Sequence, residues 1–173
     1  LSLYFPFLIT DWISIKKPGF KDRPLVVTCL SRGRTIITHS NSLALSEGIY
    51  PGMVLADARA LLPGIEVMNE RPGLEEKLLR KIAEWCIRFT PIASIDLPNG
   101  IFLDASGCTH LWGGDLAYLD DVSRKVRAKG YTVFAAMAPT PGAAYALARF
   151  QKGKQVFSAS EWLPPLLHLP PES

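Results

Sequence analysis

The chain has 173 residues, 48% of them hydrophobic and 20% charged, with a formal net charge of +3 and a pI near 8.8. That describes one good-sized globular domain or two small ones and excludes a chain too polar to build a core. No segment approaches the eighteen or more apolar residues of a membrane span, and the mild basicity permits a nucleic-acid partner without requiring one.

Leu1 to Leu8 is almost continuously apolar, as in a buried strand. The apolar start up to Ile15 is broken by Pro6 and Asp11. Lys16 and Lys17 follow it rather than precede it, the wrong polarity for a secretory signal. Pro24 to Cys29 and Thr35 to Thr38 are β-branched runs joined by Ser31-Arg32-Gly33-Arg34, which predicts a hairpin. Two short helices follow. Asn41 or Ser42 caps the first, and Leu55 to Leu62, closed by Pro63-Gly64, is the second.

Leu74, Leu78, Ile82, Trp85 and Phe89 recur at helical spacing until Thr90-Pro91. Ile92 to Ile95 and Ile101 to Leu103 predict strands around Pro98-Asn99-Gly100. A second amphipathic helix carries Leu116, Leu119, Val122 and Val126 and ends at Gly130. Tyr131 to Ala136 is a strand, and Thr140-Pro141 opens a small-residue helix to Phe150. Beyond Leu163 the chain is Pro-rich and reads as a linker.

Cys29, Cys86 and Cys108 show no CxxC spacing, which argues against a disulfide framework or zinc site and fits a reducing cytosol. His39, His110 and His168 are far apart in sequence and lack ligand spacing, so each reads as a single satisfied or surface histidine.

With residues 16–71 set aside, the order β, α, β, β, α, β and a final helix is an α+β, ferredoxin-like βαββαβ arrangement. The set-aside stretch is then a hairpin-plus-helices insertion after the first strand. Four strings are more specific than this order. They are Pro51-Gly52-Met53 with Leu55 to Pro63, Trp85-Cys86-x-Arg88-x-Thr90-Pro91, Leu103-Asp104-x-Ser106-Gly107-Cys108-x-His110-Leu111-x-Gly113-Gly114, and Thr140-Pro141-Gly142-Ala143-Ala144-x-Ala146-Leu147-Ala148-Arg149. Together they resemble the Y-family translesion DNA polymerases and, within them, the divergent ImuB-type branch, from Leu1 to about Leu169.

The resemblance implies a palm at 1–15 and 72–160, fingers at 16–71, and a linker at 161–173 towards a thumb. Two-metal phosphoryl transfer in such a palm requires carboxylates that hold divalent cations. The first-strand positions that match the family's aspartates fall on Leu3 and Phe5. The Asp-Glu positions, anchored on Leu103-Asp104, fall on Asn99 and Gly100.

Asp96 and Asp104 are the fallback carboxylates. A two-residue turn at Pro98-Asn99 puts Asp96 on the opposite face from Asp104. A three-residue turn puts them on one face, roughly two residues apart along the ladder.

The triphosphate positions fall on Ser42, Leu45 and Tyr145, none of which replaces the family's Tyr, Arg and Lys, while Arg149 stands one turn beyond Tyr145. Arg32, Arg34, Lys152 and Lys154 are candidate DNA-phosphate contacts. Trp112 is a candidate partner contact.

The resemblance implies a catalytically inactive adaptor in bacterial, cytoplasmic, damage-induced mutagenesis, with no resident metal. Its expected partners are DNA, a DnaE-type error-prone polymerase, a RecA-like protein and, through a C-terminal region, the sliding clamp. The alternatives are an active Mg2+-dependent DNA polymerase with displaced carboxylates and a small-molecule regulatory domain on the same fold.

Overall fold

The computed structural model describes residues 1–150 and Val156; Lys152, Lys154 and the Pro-rich tail lie outside the described residues. In chain order the elements are β1 (Ser2–Tyr4), α1 (Leu8–Lys16), β2 (Leu25–Ser31), β3 (Arg34–Ser40), α2 (Ser42–Ser46), α3 (Leu55–Leu61) and β4 (Glu66–Asn69). Then come α4 (Leu74–Cys86), β5 (Ala93–Asp96), β6 (Gly100–Leu103), α5 (Asp115–Arg127), β7 (Phe134–Ala136) and α6 (Pro141–Phe150). The chain divides into two compact units. One joins Leu1–Pro6 to the chain from Glu75 onward, and the other is Phe7–Leu74.

The first unit is a four-stranded sheet in the order β5-β6-β1-β7, every neighbouring pair antiparallel. With α4 and α5 as the crossovers, this is the ferredoxin-like order read from the sequence. β1 is central, so Leu3 lies between Ile101 and Ala135 and is fully buried.

The helical spacing of α4 buries Leu78, Leu79, Ile82 and Cys86, and that of α5 buries Tyr118, Leu119, Val122 and Val126. Each of the larger apolar side chains contributes roughly 1.5–3 kcal/mol by leaving water. The basic last turn of α5, with Arg124, Lys125 and Arg127, meets the negative end of the helix dipole. Buried Thr90 follows α4 four residues beyond its last residue, Cys86. Its hydroxyl donates to the Asp104 carbonyl and accepts from the Ile92 N–H, tying the end of the helix to both strands of the β5–β6 hairpin.

The second unit is a three-stranded sheet, β3-β2-β4, with β2 and β3 antiparallel and β2 and β4 parallel. The hairpin turn is Arg32-Gly33, both residues left-handed (φ 49° and 76°), as a two-residue turn on twisted strands requires. Val26, Ile37, Ala44, Ile49, Ala58 and Ile65 form its core. Of the two expected caps for α2, it is Asn41 that serves. Its Oδ1 accepts from the Ala44 N–H at 2.9 Å and the Leu25 N–H at 3.0 Å, and its Nδ2 donates to the Arg23 carbonyl at 2.8 Å.

Two elements differ from the sequence expectation. The apolar start is a three-residue strand followed by a helix, not one strand, and α1 belongs to the second unit, where it packs on β2 and β3. The second unit also gains β4, which adds a parallel strand to the expected hairpin. Among the described residues no helix is long and apolar enough to cross a membrane.

Candidate functional site

Side chains alternate along a strand, so Ser2 and Tyr4 face one side of the first unit's sheet, while Leu3 and Phe5 face the other. Phe5 is fully buried with its ring edge-on to Tyr131 at 6.1 Å. The expected first-strand positions, Leu3 and Phe5, are therefore core residues. On the opposite face β1 presents Ser2 and Tyr4, and Tyr4 is the one in register with Gly100. The sequence reading missed it because Leu1 to Leu8 has no polar alternation to mark a face.

The sheet register builds the site. Tyr4 lies opposite Gly100, Gly100 lies opposite Asp96, and Phe134 lies on the far side of Tyr4. These four form one rung across the sheet, and the Tyr4 and Phe134 rings stack at 6.4 Å. Helix α6 covers this face, where Leu147 and Ala148 pack with Ala136 and Tyr4.

From α6, Arg149 reaches down to the rung. Its Nη2 donates to Asp96 Oδ2 at 3.2 Å and to Asn99 Oδ1 at 3.4 Å. The guanidinium lies 3.6 Å from the centre of the Tyr145 ring and 4.7 Å from that of Tyr4. Tyr145 is one helical turn before Arg149, the spacing at which helical side chains meet. The Arg149 side chain is only 8% exposed and that of Asp96 28%. Arg149 Nη1 is buried with no hydrogen-bond partner among the described residues.

Gly100 supplies the space. A Cβ there would stand 2.7 Å from Asp96 Oδ2 and 3.0 Å from Arg149 Nη2. Asn99 contributes twice, since its backbone carbonyl also accepts from the Phe5 N–H at 2.9 Å.

Pairing of Asp96 with Gly100 leaves Leu97, Pro98 and Asn99 as a three-residue turn, the second of the two turns the sequence allowed. The separation expected of that turn is nevertheless wrong. The Asp104 N–H donates to the Ile92 carbonyl at 3.0 Å, which places Asp104 opposite Ile92. Asp104 is thus four residues along the chain from Gly100, about 13 Å at the usual strand rise. Its exposed carboxylate accepts from the Ser106 N–H at 2.9 Å, and hydrogen bonds from Ser106 hold it below the usual carboxylate range. Asp96 and Asp104 are not brought together.

Of the other candidates, Asn99, Gly100, Tyr145 and Arg149 meet at the rung. Ser42 and Leu45 belong to α2 of the second unit, Ser42 exposed and Leu45 half-buried. Arg32 and Arg34 are exposed at the tip of the β2–β3 hairpin. Trp112 is half-buried and packs edge-on against Tyr118 at 5.2 Å. A cavity of about 650 Å³ opens further along the same hairpin, lined by Ser94, Phe102, Asp104 and Thr140 among others, but not by Asp96 or Arg149.

The impB/mucB/samB family model matches residues 4–149. Protein ImuB from two strains of Caulobacter vibrioides is 43% identical over 103 residues, which is 60% of this chain but 22% of each relative. The fold is shared with the post-insertion binary complex of Dbh DNA polymerase (TM-score 0.78, 18% identity, 94% of this chain and 49% of that one). It is also shared with DinB from Sulfolobus solfataricus (TM-score 0.71, 19% identity, 92% and 48%). The chain thus spans about half the length of these structural neighbours. With its palm-like sheet, its inserted second unit and a family match across most of its length, the chain belongs to the impB/mucB/samB family of Y-family polymerase-like proteins.

Proposed function

We propose that this chain is the palm-and-fingers portion of a non-catalytic Y-family-like protein that acts as an adaptor in bacterial DNA-damage-induced mutagenesis. The likeness to ImuB and the polymerase fold support the role in mutagenesis. The observation that carries the non-catalytic reading is the composition of the rung. Asp96 is its one carboxylate, the residues beside it across the sheet are Gly100 and Tyr4, and a guanidinium already neutralises it. A pair of hard divalent cations needs several oxygen ligands converging from adjacent strands, so this donor set does not fit them.

In this role the protein binds DNA and joins it to other proteins. A DnaE-type polymerase would perform synthesis, a RecA-like protein would accompany it, and the sliding clamp would bind a C-terminal region. The setting is the bacterial cytoplasm. Arg32 and Arg34, both exposed at a hairpin tip, suit phosphate contact.

Primer extension with Mg2+ and all four deoxynucleoside triphosphates tests the reading on the full-length protein. No extension above the no-enzyme blank is expected. Extension that an Asp96→Ala, Asp104→Ala double variant abolishes would instead establish an active polymerase with displaced carboxylates.

A further inference from the structure

We infer that the Arg149 guanidinium is a built-in cation that closes the Asp96 site to divalent metal, so that restoring a carboxylate beside Asp96 does not restore metal binding until Arg149 is removed. The inference rests on reading the rung as the place where a catalytic palm holds its ions, and it goes beyond loss of ligands: the space has been refilled.

Three observations carry it. The first is charge. Asp96 is partly buried and its counter-charge is Arg149 Nη2 at 3.2 Å, on Oδ2, an oxygen that a metal would otherwise use. A divalent ion binds carboxylate oxygen at about 2.0–2.6 Å and would sit against a fixed positive charge. Expelling Arg149 instead would leave a partly buried carboxylate without its counter-charge.

The second is rigidity. The guanidinium lies against the Tyr145 and Tyr4 rings, and its side chain is 8% exposed, so it is held in place rather than waving over the site. The third is room. Gly100 is the one residue of the rung whose missing side chain admits the pair, since a Cβ would meet both Asp96 Oδ2 and Arg149 Nη2. Ligand loss alone would not require a glycine there.

The test compares Mn2+ binding, read by the loss of the free-ion electron paramagnetic resonance signal, and thermal unfolding with and without Mn2+. It uses four full chains: wild type, Tyr4→Asp, Arg149→Ala, and Tyr4→Asp with Arg149→Ala. Tyr4 is the choice because it faces Asp96 across Gly100 and touches the same guanidinium. Tyr4→Asp should bind no more Mn2+ than wild type, and the ion should shift its Tm no further. The double variant should bind one Mn2+ more than wild type and gain about 4 °C or more beyond it at saturation.

Mn2+ bound by Tyr4→Asp in excess of wild type while Arg149 is present overturns the inference, as does a folded double variant that binds no more than wild type. If the double variant does not fold, Arg149→Ala alone decides. A lower Tm than wild type supports the built-in cation, and an unchanged Tm overturns it. No DNA or nucleotide is present in these measurements. A primer-extending wild type would therefore defeat the adaptor reading separately from this one.

Discussion

Gly100 and Gly142 make opposite use of a missing side chain. At Gly100 a methyl group would collide with Asp96 Oδ2 and Arg149 Nη2, whereas at Gly142, in the first turn of α6, it would meet nothing within 4 Å. Gly100→Ala should therefore cost about 1–3 kcal/mol by overpacking. Gly142→Ala should be neutral or should stabilise by up to about 1 kcal/mol, because alanine restricts the unfolded chain and favours the helix. Urea unfolding of the two variants checks the signs, and equal effects would refute the role given to Gly100.

A second expectation at this scale concerns alkali. Burial pushes the Cys86 thiol from 9.0 up to about 12. Burial first, then nearby thiols and Asp104, raises the Tyr118 phenol as well. The folded state keeps these protons after the unfolded chain has lost them, so stability is complete below pH 9.0 and declines as pH climbs towards 12. Melting temperatures measured from pH 8 upward should fall above 9, with a flatter limb in Cys86→Ala; an equally steep limb would remove Cys86 as a cause.

Among the elements, the β2–β3 hairpin invites the most direct trial. Arg32 has φ 49°, so asparagine, which tolerates the left-handed region, is the suitable replacement. If the tip contacts phosphates, Arg32→Asn with Arg34→Gln should weaken DNA binding by the full-length protein. The slope of log affinity against log salt should also fall by about two. An unchanged slope would place the DNA elsewhere.

The hairpin, α4, α5 and α6 were legible in the sequence, because their hydrophobic spacing and their Gly or Pro boundaries agree. α1 was not legible. Leu8, Ile9 and Ile13 continue the apolar run of β1, and a short unbroken run carries no period to separate strand from helix. β4 escaped because four residues after Pro63-Gly64 acquire strand geometry only by pairing with β2. The candidate site was half legible. Asn99, Gly100, Tyr145 and Arg149 were in view, but a one-residue ambiguity on β1 exchanged Tyr4 for Leu3, and with it the face of the sheet. The Arg149–Asp96 contact joins residues far apart in the chain, and no local pattern announces such a pair.

For the molecule as a whole, the division into two units makes a prediction about autonomy. Residues 7–74 contain all three strands of the second sheet and the core beneath them. An isolated 7–74 peptide should fold cooperatively with a stability of about 3 kcal/mol, low because so short a chain buries little surface. A coil-like circular dichroism spectrum would show that it depends on the rest.

The first unit behaves differently in time. Its central strand, β1, pairs with Phe102, Ile101 and Gly100 on one side and with Phe134, Ala135 and Ala136 on the other. A ribosome adding about 5–20 residues each second delivers the first of those partners roughly 5–20 s after β1. Through that interval the nascent chain carries an apolar, aromatic segment with no neighbour, while 7–74 has time to fold. A transcript broken before β6 would leave that segment permanently unpaired, a degradation and aggregation signal written into the order in which the strands are made.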